Sequence, residues 1–212
     1  DIKSVVSNDL KNITSVRKNI CGIKFDKPQI MGILNVTPDS FSDGGLFLQK
    51  SKATNHASIM IKNGASIIDI GGESTRPGSQ NIKDENEWNR IEEVIKKIKN
   101  KFPEAVLSLD TRKSYVMQKG INLGVDIIND VSGLNYDKNT INILKKYKTP
   151  FVIQHSLGNP DVMQKNPKYK NVLLDIYDFF EKKIKFIRKA GIYHNNIILD
   201  PGIGFGKNLK HN

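Results

Sequence analysis

The sequence predicts an α/β protein built as a (β/α)8 TIM barrel, with only about six of the eight βα units inside these 212 residues. Three observations lead there. From residue 28 onward, short apolar runs alternate with longer amphipathic stretches, as repeated βα units around a parallel sheet require. Nearly every run ends in a carboxylate, an amide or an imidazole: Asn35, Asp69, Asp110, Asn129 with Asp130, His155 and Asp200. In a barrel all these strand ends share the C-terminal rim that carries barrel active sites. A doubly wound sheet brings together only those near its switch point. Helix capping or turn formation competes at any one position, but the unbroken succession favours a shared site.

Taken in order, residues 1–27 are polar and weakly periodic, and read as an extension or linker with a short hairpin around 21–25. The runs at 29–34, 66–70, 106–109, 126–128, 151–153 and 196–199 read as buried strands. Between them, 48–63, 84–101, 114–123, 139–146 and 172–190 carry apolar residues at helical spacing, with Lys and Glu interleaved on the opposite face. Gly64, Gly120, Gly124 and Gly191 fall at or just past the ends of these patterns, where a left-handed cap belongs. Residues 206–212 read as a helix beginning. No linker divides 28–212, which is expected to be one domain. A typical barrel takes ~250 residues, so roughly two more βα units are expected beyond Asn212, and the missing initiator methionine makes both ends look cut.

Composition narrows the function. The formal charge is +11, yet lysines are spread among glutamates in stretches such as 92–99 and 181–185. That is the pattern of solvated helix faces, and no zinc-finger spacing, aromatic-basic signature or block of like charge points to nucleic acid. No apolar run approaches the ~18 residues a membrane helix needs, and the start lacks the basic head and apolar stretch of a secretory signal. One cysteine, Cys21, excludes an internal disulfide and a cysteine metal site. A cytoplasmic, reducing compartment is expected. His56, His155, His194 and His211 do not have metal-ligand spacing.

Three stretches carry chemistry. Met31-Gly32-Ile33-Leu34-Asn35-Val36-Thr37-Pro38-Asp39-Ser40-Phe41-Ser42-Asp43-Gly44-Gly45 is a strand ending in an amide, followed by a loop able to close over a ligand on Gly44 and Gly45. Ile67-Ile68-Asp69-Ile70-Gly71-Gly72-Glu73-Ser74-Thr75-Arg76-Pro77-Gly78-Ser79 brings backbone close to a ligand at its glycines, and Arg76 can grip an anionic oxygen in two-pronged fashion. The third is Ile198-Leu199-Asp200-Pro201-Gly202-Ile203-Gly204-Phe205-Gly206-Lys207. It is not a nucleotide loop: the first glycine and the hydroxyl residue of a Walker sequence are replaced by Pro201 and Asn208, and a dinucleotide fingerprint fails at Lys207.

These stretches resemble the signature sequences of dihydropteroate synthases almost residue for residue. So do the connecting pieces Ser108-Leu109-Asp110-Thr111, Ile127-Ile128-Asn129-Asp130-Val131-Ser132 and Gly158-Asn159-Pro160-Asp161-Val162-Met163-Gln164. The resemblance implies a (β/α)8 barrel that joins 7,8-dihydropterin-6-ylmethyl diphosphate to p-aminobenzoate in folate synthesis, releasing pyrophosphate. It implies Asn35 as a ligand of Mg²⁺ on the diphosphate, and Asp110, Asn129 and Asp200 in the pterin pocket. Phe41 and Asp43 belong to the first loop and Thr75 and Arg76 to the second, with Lys207 near the pterin. Such carboxylates suit an aminopyrimidinone edge, because each accepts two N–H bonds while Asn129 both donates and accepts. Asp43 is a candidate to stabilise the methylene cation left when the C–O bond breaks. Gln154 departs from the family, whose members carry methionine there, and sets an amide against the pterin pocket. The family pattern also allows a homodimer and a fusion to an upstream pyrophosphokinase. A non-catalytic pterin-binding remnant is the alternative of a different class.

Overall fold

The computed structural model describes residues 2–15, 19–37, 46–74, 81–156 and 167–212. Helix α1 (Ile2–Thr14) precedes β1 (Met31–Asn35), α2 (Leu46–Lys62), β2 (Ile67–Gly71), α3 (Asp84–Lys101) and β3 (Val106–Asp110). Then follow α4 (Ser114–Asn122), β4 (Ile127–Asp130), α5 (Thr140–Tyr147), β5 (Phe151–Gln154), α6 (Val172–Lys189) and β6 (Ile197–Asp200). The strands form one parallel sheet in sequence order, each paired with the next. A doubly wound sheet reverses its order at a switch point; this sheet never does, and its six strands are successive staves of a barrel.

Alternation along each strand separates two faces. Ile68 and Ile70 of β2, Leu107 and Leu109 of β3, and Phe151 and Ile153 of β5 point outward into the main core, where the helices cover them. Helix α3 contributes Ile91, Val94, Ile95 and Ile98, all fully buried; these fall at the three- and four-residue spacing of one helical stripe. Its acidic first turn (Asp84, Glu85, Glu87) and basic last turn (Lys99, Lys101) also match the helix dipole. The inward face begins with a smaller cluster of Ile67, Ile127 and Val152, joined by Val106 and Ile198.

The N-terminal extension plugs that inner cluster. Ile20 and Ile23 pair across a tight turn with N–H···O bonds of 3.1 and 2.9 Å, and Ile20, Cys21 and Ile23 pack against the inward residues. The Cys21 thiol donates to the Asp126 carbonyl at 3.5 Å, and burial pushes its pKa up to about 11. It is a packing residue, not a nucleophile. Where a short hairpin around 21–25 was expected, the structure has this single Ile20–Ile23 bridge, and helix α1 was not foreseen. Val6 and Leu10 of α1 stay exposed.

Gly120 also departs from expectation. It sits inside α4, not at its cap, and a Cβ there would run into the Leu109 side chain. Its absence of a side chain lets α4 press against β3. The expected left-handed caps are found at Gly64, Gly124 and Gly191. At the far end, the segment read as a beginning helix closes one turn, with the Asn208 side chain accepting from Lys210 and His211 N–H. Among the described residues no helix is long and apolar enough to cross a membrane.

Candidate active site at the C-terminal rim

The parallel register aligns Asn35, Gly71, Asp110 and Asn129 on adjacent strands, so their side chains leave the sheet on the same, inward face. Gly71 contributes empty space. A Cβ on it would lie 3.4 Å from Asp110 Oδ2 and 3.5 Å from Asn35 Oδ1, so these two oxygens flank the gap it leaves. Two residues earlier on β2, Asp69 faces the same way and accepts a 2.9 Å hydrogen bond from Asn129 Nδ2. The second carboxylate oxygen of Asp69, Oδ1, and the amide oxygen of Asn129 are buried without a partner. Buried acceptors left unpaired cost about 1–3 kcal/mol each, so this end of the sheet is unsatisfied as it stands.

Its electrostatics say the same. Burial raises the pKa of Asp69, against the hydrogen bond it accepts from Asn129. Asp110, half-buried as a residue, is held well above the usual carboxylate range by burial and then by the charges of Asp69, Glu87, Asp130 and Glu73. The arrangement asks for a ligand rich in N–H donors.

Along the rim, Gln154 of β5 pairs in register with Asp200 of β6. Asp200 Oδ1 accepts from Gly202 N at 2.7 Å, and its carbonyl accepts from His155 N at 2.9 Å. Gly202 adopts a φ of +68°, and a Cβ there would clash with the His155 carbonyl; only glycine permits this approach. Lys207, 4% exposed, turns its ammonium back into the loop. It donates to Gly202 O at 3.0 Å and Phe205 O at 3.1 Å, and meets His155 Nδ1 at 3.0 Å. That contact makes Nδ1 the acceptor of a neutral ring, and burial followed by the Lys207 charge lowers the His155 pKa. Lys207 thus ties the 202–207 loop to the end of β5.

The comparisons with known proteins decide the family. The family described as "Pterin binding enzyme" matches residues 31–212. This chain belongs to it. As a pterin-binding family member it is 43% identical over 185 residues to the dihydropteroate synthase of Haemophilus influenzae, covering 87% of this chain and 66% of that protein. With the enzyme of Neisseria meningitidis serogroup B the identity is 45% over 195 residues, covering 90% and 67%. A Yersinia pestis dihydropteroate synthase structure with a sulfonamide drug superposes with a TM-score of 0.83 at 41% identity, covering 92% of this chain and 71% of that one. The Xanthomonas albilineans enzyme with 4-aminobenzoic acid also gives 0.83, at 36% identity, covering 94% and 71%. This family member spans about two thirds of the length of the curated relatives it matches.

The structure of this pterin-binding chain adds residues that sequence reasoning did not assign to the pterin pocket, Asp69 being read there only as one of the polar strand ends. Asp69 and Ser108 interrupt otherwise apolar strands on the inward face, a signal visible in Ile67-Ile68-Asp69-Ile70 and Val106-Leu107-Ser108-Leu109. Glu73, Glu87, Arg112 and Lys113 gave no such signal. Lys113, 2% exposed at its side chain, bonds Glu87 Oε2 at 2.7 Å and Glu73 Oε1 at 3.2 Å. Glu73 also accepts Ile82 N–H at 3.0 Å and pairs with Arg112 at 3.3 Å, while Arg112 reaches Asn81 at 2.6 Å and stacks over Tyr136. These bonds tie residue 73 to residues 81 and 82. Phe41, Asp43, Thr75 and Arg76, with the glycines at 44 and 45, lie outside the described residues.

Asn35 fits Mg²⁺ in kind: its amide oxygen is a hard donor at an exposed strand end. Among the described residues no group of three His, Cys, Asp or Glu side chains is arranged to hold a metal. The protein offers a sparse site, of the sort a substrate's own phosphates complete.

Proposed function

We propose that this chain carries the pterin-binding rim of a dihydropteroate synthase, which condenses 7,8-dihydropterin-6-ylmethyl diphosphate with p-aminobenzoate. One observation carries the reading. Asp69 Oδ1 and Asn129 Oδ1, buried and unpaired, stand with Asp110 on one inward face at the strand ends. A 2-amino-4-oxopyrimidine edge offers a ring N–H and an exocyclic amine side by side, and a carboxylate takes both at once. A heterocycle lacking that edge leaves the buried acceptors unpaired and is rejected. The ligands of relatives agree: 4-aminobenzoic acid and 7,8-dihydropteroate are bound in Xanthomonas albilineans structures.

In the reaction, the p-aminobenzoate nitrogen attacks the pterin methylene carbon as the C–O bond breaks and pyrophosphate leaves with the electron pair. The new secondary amine then sheds a proton. The arylamine is already neutral and nucleophilic near pH 7, so no general base is required. Asp110, Asn129 and Asp69 hold the ring, and Asp200 shapes its flank through the 202–207 loop that Lys207 secures. Asn35, with the diphosphate oxygens, would hold Mg²⁺, which neutralises charge on the leaving group. From the resemblance, Phe41 and Asp43 close over p-aminobenzoate, Asp43 stabilises positive charge at the methylene, and Thr75 and Arg76 hold anionic oxygens.

The test is pyrophosphate release by the full protein. Release is expected only when the pterin diphosphate, p-aminobenzoate and Mg²⁺ are all present, and a sulfonamide should compete with p-aminobenzoate. No release at saturating substrates would refute the transferase reading.

A further inference from the structure

We infer that Lys207 is a positioning residue: it touches no substrate, and holds the Asp200 carboxylate in its binding orientation through the backbone of Gly202. This deepens the proposed function and rests on its placing Asp200 beside the pterin. Lys207 is 4% exposed, and an ammonium has three N–H donors. Three acceptors converge on them: Gly202 O at 3.0 Å, Phe205 O at 3.1 Å and His155 Nδ1 at 3.0 Å. The His155 carbonyl stands farther off, at 3.5 Å. No donor remains for a ligand. A residue that the family resemblance sets near the pterin thus directs all its hydrogen bonds to the protein itself.

Those bonds converge behind Asp200. Its side chain faces inward, because Ile198, two residues earlier on β6, packs against the inner cluster. Among the described residues one hydrogen bond holds the carboxylate, from Gly202 N to Oδ1 at 2.7 Å. Gln154, in register with Asp200, gives it none, its Nε2 being buried without a partner. The plane of the carboxylate is therefore only as well fixed as Gly202. Gly202 has a φ of +68° and lies so close to the His155 carbonyl that a Cβ would collide with it. Lys207 clamps that same residue at its carbonyl, and grips the end of β5 at the His155 ring. Burial lowers the Lys207 pKa and the Asp200 charge opposes this, so cation and carboxylate also favour each other through space. A carboxylate that accepts two N–H bonds at once must lie in the plane of the donors. Its tilt, set by Lys207 through Gly202, then enters the affinity directly.

The experiment is a double-mutant cycle read by calorimetry. The probe, 6-hydroxymethylpterin, is titrated into the full protein, Lys207→Met, Asp200→Ala and the two combined, with thermal unfolding showing that each folds. The probe carries no phosphate, so a lost attraction between a cation and the diphosphate does not register. Lys207→Met should weaken binding by roughly 10- to 100-fold in the wild-type background, and by less than roughly twofold once Asp200 is replaced. An equal loss in both backgrounds means that Lys207 acts on the pterin independently of Asp200, and overturns the assignment. A folded Lys207→Met with wild-type affinity overturns it too. If Lys207→Met does not fold, Lys207→Gln, which keeps two N–H donors for the carbonyls, carries the same comparison with a smaller loss expected. Where binding to the Asp200 variants is too weak to measure, the crystal structure of the lysine variant decides: the Gly202 N to Asp200 Oδ1 bond should be lost, and its persistence refutes the inference. If the wild type does not bind the probe, the pterin reading itself falls, and this inference with it.

Discussion

At the scale of single residues, the site is marked by what it leaves unsatisfied. Asp110 has its pKa raised well above 3.8, so the stability it contributes is complete below that value and is lost as pH rises through its folded pKa. At neutral pH the free protein therefore bears a cost for this carboxylate. Asp110→Asn should raise the melting temperature of the ligand-free protein near pH 7 while weakening pterin binding by about 1–3 kcal/mol; a variant both less stable and equally able to bind would contradict the assignment. His155 works in the opposite sense. Its folded pKa is lowered from 6.5, so its stabilisation is present above 6.5 and lost as pH falls through the folded value. Denaturation midpoints should drop between about pH 7 and about pH 5, and the drop should shrink in His155→Asn. The rim residues Asp110, Asn129 and Asp200 were legible in the sequence because each polar side chain closes an apolar run. The lock formed by Lys207 was not, because its partners, Gly202, Phe205 and His155, meet only when the loop folds back on β5.

At the scale of elements, close approach is set by side chains that are missing. Gly120→Ala puts a methyl group against Leu109 and should cost about 1–3 kcal/mol by forcing α4 off β3, read as a shift in denaturant midpoint. A neutral substitution would show that α4 packs elsewhere. The Lys113–Glu87 pair at the base of the second loop is harsher: Glu87 is fully buried, its pKa already raised by burial. Lys113→Met strands that carboxylate and should cost about 3–5 kcal/mol at neutral pH. Helix α3 was readable to the residue at both ends, since one apolar stripe and both charged termini coincide over 84–101. Gly120 looked like a cap because sequence records that a glycine ends a pattern without recording what lies across from it.

At the scale of the molecule, the barrel reading rested on polar strand ends converging on one rim, and the in-order parallel sheet bears it out. The N-terminal end is closed differently, by Ile20, Cys21 and Ile23; their short turn gave no sign in the sequence that it would meet strands more than forty residues away. The division of labour follows: apolar plug below, unsatisfied polar groups above, helices outside. A ligand that satisfies the upper groups should stabilise the whole chain by mass action, by about 2.7 kcal/mol at a hundred times its Kd. The central claim is that these inward groups grip the pterin edge. Its most direct measurement is a crystal structure with 6-hydroxymethylpterin diphosphate bound. The account predicts N–H groups of the pterin ring within hydrogen-bonding distance of Asp110 and Asn129. A pterin seated away from these side chains, with Asp69 and Asn129 still unpaired, would contradict it.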